Sequence, residues 1–157
     1  PLSTDRNGNQ KKTTKKQGAI KMEIKYINNI NIETSGTSGK GSFICEYKTL
    51  VKVLGQPEEG DEYKTQAEWD IEYKDGTVTT IYDWKQGKCY LGEEGIEPKE
   101  VIEWHVGGNE ETKSLEHLKD LFISKGYGIS KSRFVGTDFD VHEISRNELG
   151  KATLIHV

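Results

Sequence analysis

The stretch that decides the fold is AEWDIEYKDGTVTTIYDW, residues 67–84. Its first half alternates apolar and acidic residues, which is the period of a β-strand with one buried and one solvated face. The Asp75-Gly76 pair that follows is a strong signal for a two-residue turn between antiparallel strands. We therefore predict a β-hairpin over residues 65–84.

A two-residue turn would also fix which residues face each other across this hairpin. It sends Trp69, Tyr82 and Trp84 to one aromatic face, and it places Glu68 opposite Asp83 on the other face. Like charges directly opposite each other destabilise a sheet unless water or a ligand separates them. We therefore expect the acidic face to be solvated or occupied.

Further elements follow from the same periodicities. VIEWHV, at residues 101–106, alternates like a third strand, and apolar residues at helical spacing predict two helices. MEIKYINNINIE, at residues 22–33, is typical of a small hairpin, and two β-prone stretches follow residue 127, SRFVGTDFDVHEI and KATLIHV. The predicted fold class is α+β, an antiparallel sheet with two helices packed on its aromatic face, and these helices span residues 46–54 and 110–125.

Length and charge define the domain organisation. The chain has 157 residues, which suits one domain, and a net charge of −4. Residues 1–25 contain seven basic and two acidic residues, so the remainder is the acidic part. We predict one α+β domain over residues 22–157, preceded by a flexible basic tail, or a vector-derived segment, over residues 1–21.

The basic tail is the one part of the chain where charge favours nucleic acid. It has no aromatic residue among its lysines, so base stacking is absent and only weak, salt-sensitive phosphate contact is expected. No apolar run reaches the roughly 20 residues that cross a bilayer, so we expect no membrane contact and a cytoplasmic protein.

The glycine-rich run ETSGTSGKGSF, residues 33–43, invites comparison with a phosphate-binding P-loop. That motif reads G-x-x-x-x-G-K-[ST], because this spacing surrounds the phosphates with backbone amides. Here Gly36 and Gly39 are only three positions apart, and Gly41 follows Lys40 where a hydroxyl residue should stand. The run is therefore interpreted as a flexible connector with a solvated lysine, and no nucleotide cofactor is predicted.

A catalytic interpretation would depend on His105. Glu103 lies two positions earlier on the same predicted strand face, and a carboxylate beside an imidazole orients the ring and raises its pKa. Asp83 is the other carboxylate available to it. The candidate catalytic set is therefore His105 with Glu103 or Asp83, although a solvent-facing histidine is the favoured interpretation.

Other chemistries receive less support from the sequence. The histidines and the two cysteines lack zinc-ligand spacing, and the carboxylates of the acidic face splay along a sheet, so no metal site is predicted. Surface recognition remains, through the sheet face, the loop at residues 86–100 or the C-terminal strands. The candidate binding residues are Trp84, Lys85, His105, Glu103, Glu68 and Asp70.

Residues 47–108 resemble a group of small, poorly characterised accessory proteins of tailed phages and large DNA viruses. The resemblance is carried by LVKVLGQP, YKTQAEWDIEYKDGTVTTIYDWKQGKCYLGEEG and IEWHVGG. It implies a viral accessory protein in the infected host cell and brings no catalytic assignment. We expect a non-catalytic binding module for a host or viral protein. The alternatives are a small hydrolase that uses His105 and a virion-associated structural component.

Overall fold

A computed structural model describes residues 22–144 as an α+β structure, which confirms the predicted fold class at that level. The tail at residues 1–21 and the predicted strand KATLIHV lie outside the described residues. The strands are β1 (Ile24–Ile27), β2 (Ser38–Ile44), β3 (Glu58–Glu59), β4 (Ala67–Tyr73), β5 (Val78–Tyr82), β6 (Glu103–Gly108), β7 (Tyr127–Lys131) and β8 (Phe139–Glu143). The helices are α1 (Tyr47–Leu54), α2 (Lys88–Leu91) and α3 (Lys113–Ser124).

The strands form one sheet in the order β1-β4-β5-β6-β2-β8-β7, with the short β3 added beside β4. Neighbouring strands are antiparallel except β2 and β8, which pair in parallel through Phe43 and Phe139. The prediction of a purely antiparallel sheet is therefore wrong. The parallel pair joins segments that are far apart in sequence, and no local periodicity reports such a contact.

The predicted hairpin forms, but its turn contains three residues rather than two. Tyr73 N donates to Thr77 O, and Gly76 N donates to Tyr73 O, so Lys74, Asp75 and Gly76 make the loop. Gly76 has a φ of +89°, the left-handed conformation that ends a type I turn with a bulge. The extra residue shifts the register by one position along β5.

This shift reverses the two faces of β5, because successive side chains point to opposite sides of a sheet. Trp69 pairs with Ile81, and both side chains are fully buried in the core. Tyr82 pairs instead with Glu68, on the face opposite the core. The expectation that Trp69, Tyr82 and Trp84 point inward together is wrong, since Trp84 is also exposed.

The core lies between the other face of the sheet and helices α1 and α3. Trp69 and Trp104 meet edge to face, with ring centroids 5.3 Å apart. Their indole nitrogens donate to the carbonyl oxygens of Gly55 and Cys45, which satisfies the polar edge of each ring inside the core. Both helices place buried apolar residues in this cluster, which include Leu50, Leu54, Leu118, Leu121 and Phe122.

Helix α3 is joined to the hairpin turn by a charged contact. His117 Nε2 lies 2.9 Å from Asp75 Oδ2, and the imidazole meets the ring of Tyr73 edge to face. Burial alone would raise the pKa of Asp75, but hydrogen bonds from His117 and Thr77 outweigh it and hold the pKa at about 2.

Two predictions for the N-terminal part are also wrong. Residues 22–33 do not form a hairpin with each other, because β1 pairs with β4 instead. The supposed connector at residues 33–43 contains most of β2, a strand in the middle of the sheet. Lys40 is not solvated, since its largely buried side chain reaches Glu111 with a nitrogen to oxygen distance of 3.2 Å.

No helix within residues 22–144 combines the length and the apolar character needed to span a membrane.

Candidate binding site on the polar face

The face of the sheet opposite the core, here called the polar face, carries a row of polar residues across four adjacent strands. Glu68 pairs with Tyr82, Tyr82 with His105, and His105 with Ser42. The next row consists of Asp70, Thr80, Gly107 and Gly39 in the same order. Residues from distant parts of the chain therefore meet because β4, β5, β6 and β2 are neighbours.

A cavity of about 300 Å³ opens over part of these two rows. Its floor includes Thr80, Gly107 and Gly39, and a Cβ atom on Gly107 would collide with the Thr80 hydroxyl. Glycine at position 107 therefore keeps the floor of the cavity open. The walls come from the loops before β2 and β4, from the first residues of these two strands, and from the end of β5 with Trp84 after it. The wall residues are Thr34, Thr37, Ser38, Asp61, Thr65, Glu68, Tyr82 and Trp84.

Glu68 is the residue of this cavity whose ionisation is most altered. Burial raises its pKa to about 8, and a hydrogen bond with Asp70 and the charges of Asp70, Glu58 and Asp61 act in the same direction. Glu68 therefore keeps its proton to a higher pH than an isolated glutamate does. The predicted acidic face exists, but it is partly buried, and its charges interact with one another.

Asp61 supplies the charged wall of the cavity. Its Oδ1 accepts the backbone N–H groups of Tyr63, Lys64 and Thr65 at 2.8–2.9 Å. These bonds, those from Thr65 and Tyr63 first, lower the pKa of Asp61 and so favour its ionised form. The cavity thus combines a carboxylate whose ionised form is favoured with a carboxyl group whose neutral form is favoured.

Trp84 forms the outer rim of the cavity and is more than one third exposed. Its ring meets Tyr82 edge to face, and the ammonium groups of Lys64 and Lys85 lie 5.6 and 5.4 Å from its centroid. Lys85 has a φ of +60°, and its backbone N–H donates to Lys64 O at 2.7 Å. Of the predicted binding residues, Trp84 and Glu68 line the cavity. Lys85 contacts Trp84 and Asp70 interacts with Glu68, but neither lines the cavity.

His105 and Glu103 lie on the same face, as their spacing predicts. The imidazole stacks on the Tyr82 ring, with centroids 6.0 Å apart and planes inclined by 21°. Glu103 Oε2 accepts a hydrogen bond from Thr137 at 3.3 Å. Glu103 lines a second, more apolar cavity beside the end of β2 and the start of β6, whereas His105 lines neither of the two.

Asp83 does not belong to the acidic face. It is fully buried, and its Oδ1 accepts the backbone N–H groups of Gln66 and Ala67 at 2.7 and 3.0 Å. The prediction that Asp83 opposes Glu68 is wrong because the three-residue turn moves Tyr82 into that place. Asp83 joins the ends of β4 and β5, and its hydrogen-bonding partners are amides rather than an imidazole.

The carboxylates of the polar face do not form a metal centre. Within residues 22–144 no group of three or more His, Cys, Asp or Glu side chains has an arrangement that would hold a metal ion.

Several residues of the cavity were not predicted from the sequence. Thr80, Gly107 and Gly39 form its floor only because β5, β6 and β2 are adjacent, and that order is not a local property of the chain. Asp61 and Thr65 had a usable signal. An aspartate at the start of a polar loop commonly accepts the N–H groups that follow it, and such loops often border binding sites.

Comparison with known proteins identifies no relative, so the cavity is interpreted from the residues that line it. No family model, no curated protein and no solved structure matches this chain.

Proposed function

We propose that this protein is a viral accessory protein that binds a host or viral protein without catalysing a reaction, and that the cavity on the polar face is the centre of its binding surface. The observation that carries this proposal is the composition of the cavity: an exposed tryptophan at the rim, a tyrosine wall and two carboxyl groups. Aromatic anchors beside a pocket are the usual centre of protein interfaces.

The surface around the cavity also carries exposed aromatic and lysine side chains. The rings of Tyr63 and Tyr90 meet at an angle of 54° with centroids 5.2 Å apart, and Lys85 lies against both Trp84 and Tyr90. Tyr63 and Leu91 are about half exposed. Aromatic residues with few rotatable bonds lose little conformational entropy on binding, which suits this surface to recognition.

The hydrolase alternative receives less support from the site. A histidine base requires a carboxylate partner and a nucleophile within hydrogen-bond reach. His105 instead stacks on Tyr82, while the Asp83 carboxylate is bonded to backbone amides and that of Glu103 to Thr137. These contacts favour a binding function, in which His105 supports the Tyr82 ring.

The test is capture of a partner from lysates of infected and uninfected host cells. The wild-type chain and two glycine variants, Gly39→Val and Gly36→Val, serve as baits. A Cβ atom at either glycine meets no atom within 4 Å, but only Gly39 lines the cavity. We expect one defined protein to bind the wild type and Gly36→Val and to be lost from Gly39→Val. Repeated recovery of nothing, or equal recovery by both variants, would contradict the proposal.

A further inference from the structure

The two carboxyl groups that line the cavity, and two more that interact with Glu68, have no basic partner among residues 22–144. The groups concerned are Glu58, Asp61, Glu68 and Asp70, and none of them lies within 4.0 Å of a Lys, Arg or His nitrogen in this part of the chain. Other carboxylates do have such partners, for example Glu72 with Lys25 at 3.9 Å.

This group of charges is also incompletely hydrogen-bonded. Asp70 Oδ1 is buried and has no hydrogen-bonding partner among residues 22–144. A buried carboxylate oxygen without a donor costs free energy. A cationic hydrogen-bond donor in the adjoining cavity would ionise Glu68 and relieve the repulsion among these groups.

The shape of the cavity indicates which cation fits. The carboxyl groups do not converge as metal ligands, and the wall beside them is the ring of Tyr82. Aromatic faces attract organic cations, and a planar guanidinium can stack on a ring while it donates to carboxylates at its edge. A volume of about 300 Å³ is at the lower limit for small-molecule sites. It suits one side chain rather than a larger ligand.

We propose that the cavity binds one arginine side chain of the partner protein, with the guanidinium stacked on Tyr82 and hydrogen-bonded to Glu68 and Asp61. This inference rests on the proposed binding function and adds the chemistry of the group that is recognised. The ammonium groups of Lys64 and Lys85 lie near the rim at Trp84 and do not line the cavity, so the inner wall at Glu68 and Tyr82 receives the cation.

The three tryptophans allow a direct test with the full chain. N-acetyl-L-arginine methylamide is titrated while the indole N–H signals are followed by ¹H–¹⁵N NMR. Trp84 lines the cavity, whereas Trp69 and Trp104 are fully buried and serve as internal controls. We expect a saturable shift of the Trp84 signal alone, and none with the neutral N-acetyl-norleucine methylamide.

Matched variants locate the binding. Glu68→Gln and Gly39→Val should each weaken arginine binding at least tenfold. Glu72→Gln and Gly36→Val, which change the same residue types outside the cavity, should leave it unchanged. Equal shifts with both probes, or full binding by Glu68→Gln and Gly39→Val, would overturn the inference.

Three further outcomes distinguish a cation of this chain from a cation of a partner, and distinguish failure of the arginine inference from failure of the binding function. If replacing Lys11, Lys12, Lys15 and Lys16 by Gln tightens probe binding tenfold or more, the tail of the same chain occupies the cavity, which overturns the assignment to a partner. If a partner is captured and then lost with Gly39→Val while no arginine probe binds, the inference fails and the binding function stands. If the probe binds but no partner is ever captured, the binding function fails.

Discussion

The raised pKa of Glu68 makes the unfolding free energy depend on pH. Its pKa of about 8 lies above the ordinary value of 4.5, so between these values the folded protein keeps a proton that the unfolded chain has lost. The unfolding free energy should therefore fall as the pH rises from about 4.5 to 8. In Glu68→Gln this fall should be smaller, and the melting temperature should exceed that of the wild type most clearly near pH 8.

Thermal unfolding followed by circular dichroism from pH 4 to pH 9 measures this effect. The groups that face Glu68 are Asp70, Glu58, Asp61 and Tyr82, and all remain in the variant. Glu72→Gln changes a carboxylate on the same strand that pairs with Lys25, so it should not reproduce the gain at high pH. Parallel pH profiles for wild type and Glu68→Gln would show that the Glu68 proton is not retained on folding.

Substitution of Gly76 tests the conformation of the three-residue turn. Its φ of +89° is unfavourable for any side chain with a Cβ atom, by about 1–2 kcal/mol. Gly76→Ala should therefore lower the unfolding free energy in urea by about that amount. Gly36→Ala, at a glycine with open space and without a left-handed φ, should change it little. Equal stability of the two variants would contradict the observed turn.

At the scale of elements, the contact between α3 and the hairpin turn depends on the ionised Asp75. Its pKa of about 2 lies below the ordinary value of 3.8, so this contact stabilises the fold above about pH 4 and is lost as the pH falls toward 2. His117→Gln should lower the unfolding free energy near neutral pH by about 1–3 kcal/mol, as expected for a hydrogen bond to a charged group.

Urea unfolding at pH 7 and at pH 3 measures this contribution. In Asp75→Asn the unfolding free energy should fall less between pH 7 and pH 3 than it does in the wild type. Asp120→Asn, which changes an exposed residue of α3, should leave this difference unchanged. An unchanged acid profile in Asp75→Asn would exclude the contact as a source of pH dependence.

The elements that the sequence predicts well are those with a strong local period. Helices α1 and α3 and strand β4 were found because their buried residues recur every three to four or every two positions. The Asp-Gly pair did not reveal its turn length, because the same dipeptide suits two-residue and three-residue turns. Strand β2 was missed because Ser38, Gly39, Lys40 and Gly41 carry no apolar period and are placed by pairing with β6.

At the scale of the whole molecule, the candidate site could be predicted only in part. Trp84 and Glu68 stood out by residue type, and both line the cavity. The cavity itself requires that β4, β5, β6 and β2 lie side by side, and that order results from non-local pairing. The candidate site therefore depends on the pairing of these four strands, and no single sequence motif contains it.

The reactivity of the two cysteines measures whether the core beneath the sheet is folded. Cys45 lies in the core just before α1 begins, and burial and the charge of Glu46 raise the pKa of its thiol, whereas Cys89 is exposed. Because the thiolate is the reactive form, Ellman's reagent should modify one thiol per folded chain and two in denaturant. The slow reaction of Cys45 should follow global unfolding, and Gly76→Ala should accelerate it. Rapid modification of both thiols without denaturant would show that the core opens locally at β2 and α1.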